Sequence, residues 1–452
     1  MKSLPSSYRD NSGYVFQQDG KIYRYIAPIY FSNYDLLMNS GLYEQLISKK
    51  MLIAHEEITD IYRFENKEGK IIFPHQIDFI SYPYEWSFDM WKDAAILTLR
   101  VCKIALEHGM VLKDATPFNI QFINGRPVFI DTLSFEKYEE GRSWIAYRQF
   151  CECFLGFLLL MHYNDAAAHK KFQLYPSGIP IKKLSSLLPK RSKWNIAVSL
   201  HIHLQAKLVK PNKASAKRQE NFSKKKMQML LMGLESMVSK LKVKQEGTEW
   251  AGYYYESILN DEYYTAKGEA IAYFLRDERF MKIIDLGANN GGFSHGLGHG
   301  DITIAVDNDS NAINYFYLEN KKRGHKNFHL VVADLVNPSP AIGWNNEERT
   351  SLNDRLSGDL ISALALVHHL VISNNLNFSK LIDWLKPMGP NLLIEFVPKE
   401  DEKVKILLAN REDIFPDYNL SSFKKSFSEH YEIVEEEQIN GSQRTLFLMK
   451  RK

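Results

Sequence analysis

Apolar and polar residues fall into blocks whose lengths point to two differently built regions. In the C-terminal half, short apolar runs rich in branched residues recur at residues 281–286, 302–306, 330–333, 359–366 and 391–396. Runs of this length, mostly apolar and not strictly alternating, predict strands buried on both faces, as in a parallel sheet with crossover helices. The N-terminal half reads otherwise. Residues 12–16 and 22–26 flank an Asp19-Gly20 turn and predict a hairpin. Residues 91–107 carry the periodicity of an amphipathic helix, and 127–130 reads as a further strand. The run from Phe150 to Met161, broken by Glu152, is too short to span a membrane and predicts a buried helix.

The first C-terminal strand runs into Asp285-Leu286-Gly287-Ala288-Asn289-Asn290-Gly291-Gly292, and a helix is expected to open at Phe293. A strand–glycine turn–helix unit lets backbone N–H groups approach a bound ligand, because glycine accepts positive φ and has no Cβ. The second strand ends in Asp307, about 20 residues on, where a doubly wound sheet places the acid that meets a ribose. The third ends in Asp334. The dinucleotide fingerprint G-x-G-x-x-G is not matched.

Over residues 250–452 the sequence resembles the class I S-adenosylmethionine-dependent methyltransferases, on Asp285, the glycine loop, Asp307 and Asp334. The resemblance implies a Rossmann-like sheet and S-adenosylmethionine as cofactor. It implies that Asp285, Gly287, Ala288, Asn289 and Gly291 form the cofactor loop. Asp307 with Asn308 would meet the ribose, Asp334 with Leu335 the adenine, and Leu366 the far wall.

In the N-terminal half, Lys113-Asp114 is followed by Asn119 and, after a strand, by Asp131. That order resembles the catalytic loop and metal-binding aspartate of the protein-kinase and aminoglycoside-phosphotransferase folds. It implies Asp114 as catalytic base, Asn119 and Asp131 as magnesium ligands, and Mg-ATP as a second cofactor. The pattern departs from the family at three points. No G-x-G-x-x-G loop stands at residues 12–20, Arg24 with Glu44 replaces a clear lysine–glutamate pair, and Asp131-Thr132-Leu133 stands for D-F-G. The expected fold is therefore α/β, a doubly wound Rossmann-like methyltransferase sheet preceded by an α+β kinase-like domain. The expected division is a kinase-like domain at 1–205, a basic linker and connecting helix at 206–245, and the methyltransferase domain at 246–452.

Composition changes this picture little. The chain of 452 residues has 45% hydrophobic and 25% charged residues, which suits two filled cores. Its net charge of +3 gives no strong nucleic-acid signal, and the lysine-rich stretch 207–226 reads as a solvated linker. Cys102, Cys151 and Cys153 lie in apolar segments and read as buried thiols, not as zinc ligands or a disulfide framework. With no signal-peptide pattern and no run of about 18 apolar residues, a cytoplasmic location is expected. Oligomeric state is left open.

After the fourth strand comes Leu366-Val367-His368-His369-Leu370, which resembles small-molecule methyltransferases in lacking the acid-or-Asn, double-proline signature of amine methylators. His369 is the candidate general base, beside His368, with Glu395 at the end of strand five a further candidate. The aromatic segment 250–264 with Lys267 is expected to lid the site, Tyr254 and Lys267 above all. The layout of the whole chain, including Ser12-Gly13-Tyr14-Val15-Phe16 and Ile414-Phe415-Pro416-Asp417-Tyr418, resembles bacterial methyltransferases of nodulation and polysaccharide modification. That implies a glycan, glycolipid or other small-molecule acceptor. Other readings are a bifunctional kinase and methyltransferase, a protein methyltransferase whose first lobe only recognises substrate, and a non-enzymatic scaffold.

Overall fold

The computed structural model describes residues 2–59, 68–208, 222–243, 261–297, 300–409 and 411–452. It divides into two compact units, Met1–Lys244 with Ala341–Thr350, and Gln245–Pro340 with Ser351–Lys452. Tyr254 lies outside the described residues, as does most of the lysine-rich stretch.

The first unit opens with a five-stranded antiparallel sheet. Strands β1 (Lys2–Ser3), β2 (Gly13–Gln18), β3 (Lys21–Ile26), β4 (His55–Ile58) and β5 (Lys70–Pro74) pair in the order β1-β2-β3-β5-β4. Asp19 and Gly20 both take positive φ, 51° and 76°, the conformation that lets a two-residue turn follow the strand twist. The helix Phe88–Glu107 carries the core of this unit, burying Trp91, Ala94, Thr98, Cys102 and Ala105 along one stripe. The helix Lys224–Lys240 packs against it, with Arg100 Nε 2.6 Å from Glu235. Two small ladders follow, β6 (Met110–Leu112) with β9 (Phe135–Lys137), and β7 (Ile120–Ile123) with β8 (Arg126–Phe129). The apolar run at 150–161 is helical and buried, beginning with a π turn at Cys151–Leu155. All three cysteines are buried free thiols of this unit.

The second unit is a seven-stranded sheet. Strands β10 (Lys282–Leu286), β11 (Ile302–Asp307), β12 (Phe328–Val332), β13 (Leu360–Ala363) and β14 (Asn391–Phe396) run parallel. The hairpin β15 (Tyr431–Gln438) and β16 (Thr445–Arg451) adds antiparallel to β14. The order β12-β11-β10-β13-β14-β16-β15 places the reversal between β10 and β13, where doubly wound sheets open a crevice at the carboxyl ends of their strands. The fourth strand stops at Ala363, short of the expected 366, because Ala365 turns into the left-handed region at φ 50°. Among the described residues after the glycine loop, the chain makes the 3₁₀ turn Ser294–Gly296 where a helix was expected.

The glycine loop has its own packing logic. Gly287 and Gly291 take φ 76° and 83°, and a Cβ on Gly291 would stand 2.4 Å from the Phe316 ring. Gly291 thus lets the helix Ser310–Arg323 close against the loop. Gly291→Ala is expected to lose about 2 to 4 kcal/mol of stability, the sum of left-handed strain and overpacking, readable as a lowered urea midpoint with the unfolding slope unchanged.

Candidate functional site

The crevice holds a cavity of about 280 Å³ within the second unit. Its wall includes Asp285, Gly287, Ala288 and Asn289 from the glycine loop, Asp307 and Asn308 after β11, and Asp334 and Leu335 after β12. Leu366 and His369 line it from the segment after β13. Acids that stand far apart in the sequence therefore share one surface, since parallel strands deliver their carboxyl ends to the same edge. Gly291 is turned to Phe316 and does not line the cavity.

Each acid is held differently. The Asp307 carboxylate accepts the backbone N–H of Asn289 at 2.8 Å and that of Asp309 at 2.8 Å. Asn289 presents its N–H from a left-handed φ of 49°, a conformation asparagine tolerates well. Burial pushes Asp307 up to about 6 despite those two donors. Asp285 is buried, accepts the Ser294 hydroxyl at 2.5 Å, and is also raised by burial. Asp334 caps its own turn by accepting the Val336 N–H at 2.9 Å.

Behind the cavity lies a buried ionic network centred on Glu395. Its Oε2 accepts Lys267 Nζ at 2.6 Å and the Ala365 N–H at 2.9 Å, and its Oε1 accepts the Tyr263 hydroxyl at 2.7 Å. Arg444 donates to Tyr263 Oη at 3.0 Å and grips Asp401 with Nε and Nη2 at 2.7 and 3.1 Å. Glu395 and Arg444 are fully buried and Lys267 almost so. Burial pushes the Glu395 carboxyl upward, but Lys267 and Arg444 outweigh it and hold the carboxyl below its ordinary range. Lys267, Tyr263 and Arg444 also line the cavity, whereas Glu395 stands behind them. Of these, Arg444 carries no sequence signal. It is a lone cation at the start of an apolar strand.

The two histidines separate. His369 lines the cavity, and burial followed by the charge of Arg444 lowers it to about 4, so its ring is neutral near pH 7. His368 is fully buried, packed against His369 with ring centroids 4.1 Å apart and the rings tilted by 40°, and outside the cavity wall. Neither of its ring nitrogens has a hydrogen-bond partner among the described residues.

In the first unit the structure gathers Asp114, Asn119 and Asp131. Burial and the Asp131 charge raise the Asp114 carboxyl, with hydrogen bonds from Gln149 and Asn119 opposing them. Asp131 is ion-paired to Arg24, bonded to the Ser134 hydroxyl, and caps Leu133 N–H at 3.2 Å. The Asn119 amide donates to Ser134 Oγ at 3.1 Å. Arg24 thus pairs with Asp131, while Glu44 is exposed. Among the described residues, no group of three or more His, Cys, Asp or Glu side chains is placed to hold a metal ion. This donor set does not fit the expected magnesium nucleotide, because a guanidinium already neutralises the carboxylate that would ligate it.

Glu395→Gln is expected to destabilise the second unit by about 3 to 5 kcal/mol, because it strands Lys267 as a buried charge. Glu395 is depressed in the fold, so its contribution is full above the unfolded glutamate range and is lost as pH falls through the lower folded value. Denaturant titrations of both proteins at neutral and acid pH check this. The variant's deficit should shrink in acid.

No protein-family model matches the chain. The chain is 34% identical over 462 residues to nodulation protein NoeA of Rhizobium meliloti (strain 1021), covering 99% of this chain and 96% of that one. Among solved structures, the N-methyltransferase NodS from Bradyrhizobium japonicum WM9 matches at 14% identity and a TM-score of 0.32, over 42% of this chain and 98% of its own. A SAM dependent methyltransferase from Aquifex aeolicus matches at 14% identity and 0.30, over 43% and 96%. Both are partial likenesses, with TM-scores below the level at which a shared fold follows. Because the identity to NoeA runs along nearly the whole of both chains, the protein belongs to the family of nodulation protein NoeA.

Proposed function

We propose that the second unit is an S-adenosylmethionine-dependent methyltransferase acting on a glycan, glycolipid or other small-molecule acceptor. The observation that carries this reading is the convergence of Asp285, Asp307 and Asp334 on one cavity around a glycine turn. The residues fit the cofactor. Asp307 would accept the two ribose hydroxyls, Asp334 and Leu335 would flank the adenine edge, and Gly287 keeps side-chain bulk away from the loop where a methionine portion would lie. The bound cofactor supplies an electrophilic methyl group on a sulfonium. The protein's part is to exclude water and align the acceptor, which provides much of the acceleration in such a transfer.

Tyr263, Lys267 and Arg444 set the polar face of the cavity, and His369 offers a neutral imidazole to an acceptor proton. Glu395, committed to Lys267, Tyr263 and Ala365, acts as a positioning residue in this reading, not as a base. The glycan or glycolipid class of acceptor rests on the resemblance of the whole chain to methyltransferases of nodulation and polysaccharide modification, and the relative is itself named a nodulation protein. In this reading the first unit recognises substrate in the cytoplasm without turning over ATP, as the Arg24–Asp131 pair favours.

Two measurements test the assignment. Asp307→Ala is expected to weaken S-adenosylmethionine binding more than tenfold in calorimetry, from the loss of about 1.5 to 3 kcal/mol of charge-assisted hydrogen bonding; unchanged affinity would refute it. Ribose hydroxyls favour the ionised carboxylate. Wild-type affinity should therefore be flat well above pH 6 and decline by up to about tenfold per unit below it, a slope absent in the variant.

His369 makes a separate prediction. At saturating cofactor, kcat should show no His369-dependent inflection near 6.5, the ordinary imidazole value, because the ring is already neutral there. His369→Ala should lower kcat with cofactor affinity kept. An inflection near 6.5 that vanishes in the variant contradicts the buried, neutral histidine.

A further inference from the structure

Between Asp165 and Glu220 the chain has no acidic residue, yet twelve lysines and arginines fall there. The whole chain carries only +3, so the remainder is net negative and this stretch concentrates the positive charge. Within it lies a continuous helical run of three segments, Ile196–Val198, the π segment Ser199–Leu204, and Gln205–Leu208. One side of the run is anchored in the first unit. Val198, His201, Ile202 and His203 are buried, the Tyr147 hydroxyl sits 2.8 Å from His201 Nδ1, and the Ser185 and Ser192 hydroxyls bond the two ring nitrogens of His203.

The opposite side is apolar and faces solvent. Ile196, Leu200, Leu204 and Leu208 are all exposed, with Trp194 just ahead of them. Trp194 is 86% and Ile196 85% exposed. A four-residue spacing drifts around an ordinary α-helix, and the wider π segment takes up part of that drift, keeping the row together. Single exposed leucines are ordinary, but a row of aliphatic side chains led by an indole is not. Lys190, Arg191, Lys193 and Lys207 are exposed around it.

We propose that this face docks on an anionic lipid surface. Aliphatic side chains and an indole suit the boundary between head groups and acyl chains, and flanking lysines and arginines complement anionic head groups. A single-stranded RNA would call for stacking aromatics in a basic groove, not an aliphatic row. A second copy would bring two cationic surfaces together, which like-charge repulsion opposes. Among the described residues no helix is long and apolar enough to cross a membrane, so the contact is peripheral. The inference stands apart from the methyltransferase reading.

Co-sedimentation of the full-length protein with vesicles tests it. The protein should sediment with phosphatidylcholine–phosphatidylserine vesicles, not with phosphatidylcholine alone, and added salt should release it. The combined variant Trp194→Ser, Ile196→Ser, Leu200→Ser and Leu204→Ser should reduce partitioning by at least about tenfold, as should Lys190→Gln with Arg191→Gln and Lys193→Gln. These side chains are exposed, so the melting temperature and S-adenosylmethionine binding should not change. That separates a failure here from a failure of the methyltransferase assignment. Equal sedimentation with both vesicle types, none with either, or full binding by the variants overturns the proposal. So does a finding that these residues serve only RNA binding or a dimer seen by light scattering.

Discussion

Glu395 is the point on which the second unit turns. One carboxylate, completely buried, receives Lys267 from the helix Asp261–Phe274, the Ala365 N–H from the turn after β13, and Tyr263 from one helical turn before Lys267. Arg444 then couples the same group to Asp401 and to the start of β16. Removing these charges from water costs several kcal/mol each, and the cost is offset only where the partners meet in good geometry. The network therefore contributes less to raw stability than to selecting one arrangement of its segments. A register slip in β14 would send Glu395 to the opposite face of the sheet and leave Lys267 buried without its counterion. Ala365 shows what that selection holds in place. An alanine in the left-handed region is strained, and the Glu395 bond keeps it there as part of the cavity wall.

The first unit uses a charge pair differently. Arg24 on β3 meets Asp131, 107 positions away, and Ser134 and the Leu133 N–H complete the carboxylate's partners. The local order of acid, asparagine and acid persists, and the side chains do gather, but the strand arginine has taken the place of an outside cation. A motif read along the chain reports which groups meet. It does not report which of them are already satisfied.

That difference explains what was legible beforehand. The five parallel strands could be read because strands buried on both faces are apolar along their length, and acids at their ends stand out against that background. The hairpin of β15 and β16 leaves no comparable signal in the sequence. Strand β15 alternates exposed with half-buried positions, only Tyr431 is fully buried, and its four glutamates fall on both sides, which dilutes its apolar signal. Strand β13 ends before its apolar run does, because the positive φ at Ala365 is held by a tertiary hydrogen bond to Glu395, not signalled by a local turn residue. Arg444 could not be found at all, since its role depends on Tyr263 and Asp401, which approach it only in the folded sheet.

The placement of the cysteines has an experimental consequence. All three thiols are buried in the first unit, and burial pushes Cys102 and Cys151 up to about 12, so they are protonated and poor nucleophiles in the folded protein. The unit that holds the cavity has no cysteine in its sequence. A thiol-directed reagent therefore reports opening of the first unit alone, on a chain whose other half is silent to it. Conversely, a single cysteine introduced on the surface of the second unit would give a chemically unique handle for a fluorophore or spin label without removing any native residue.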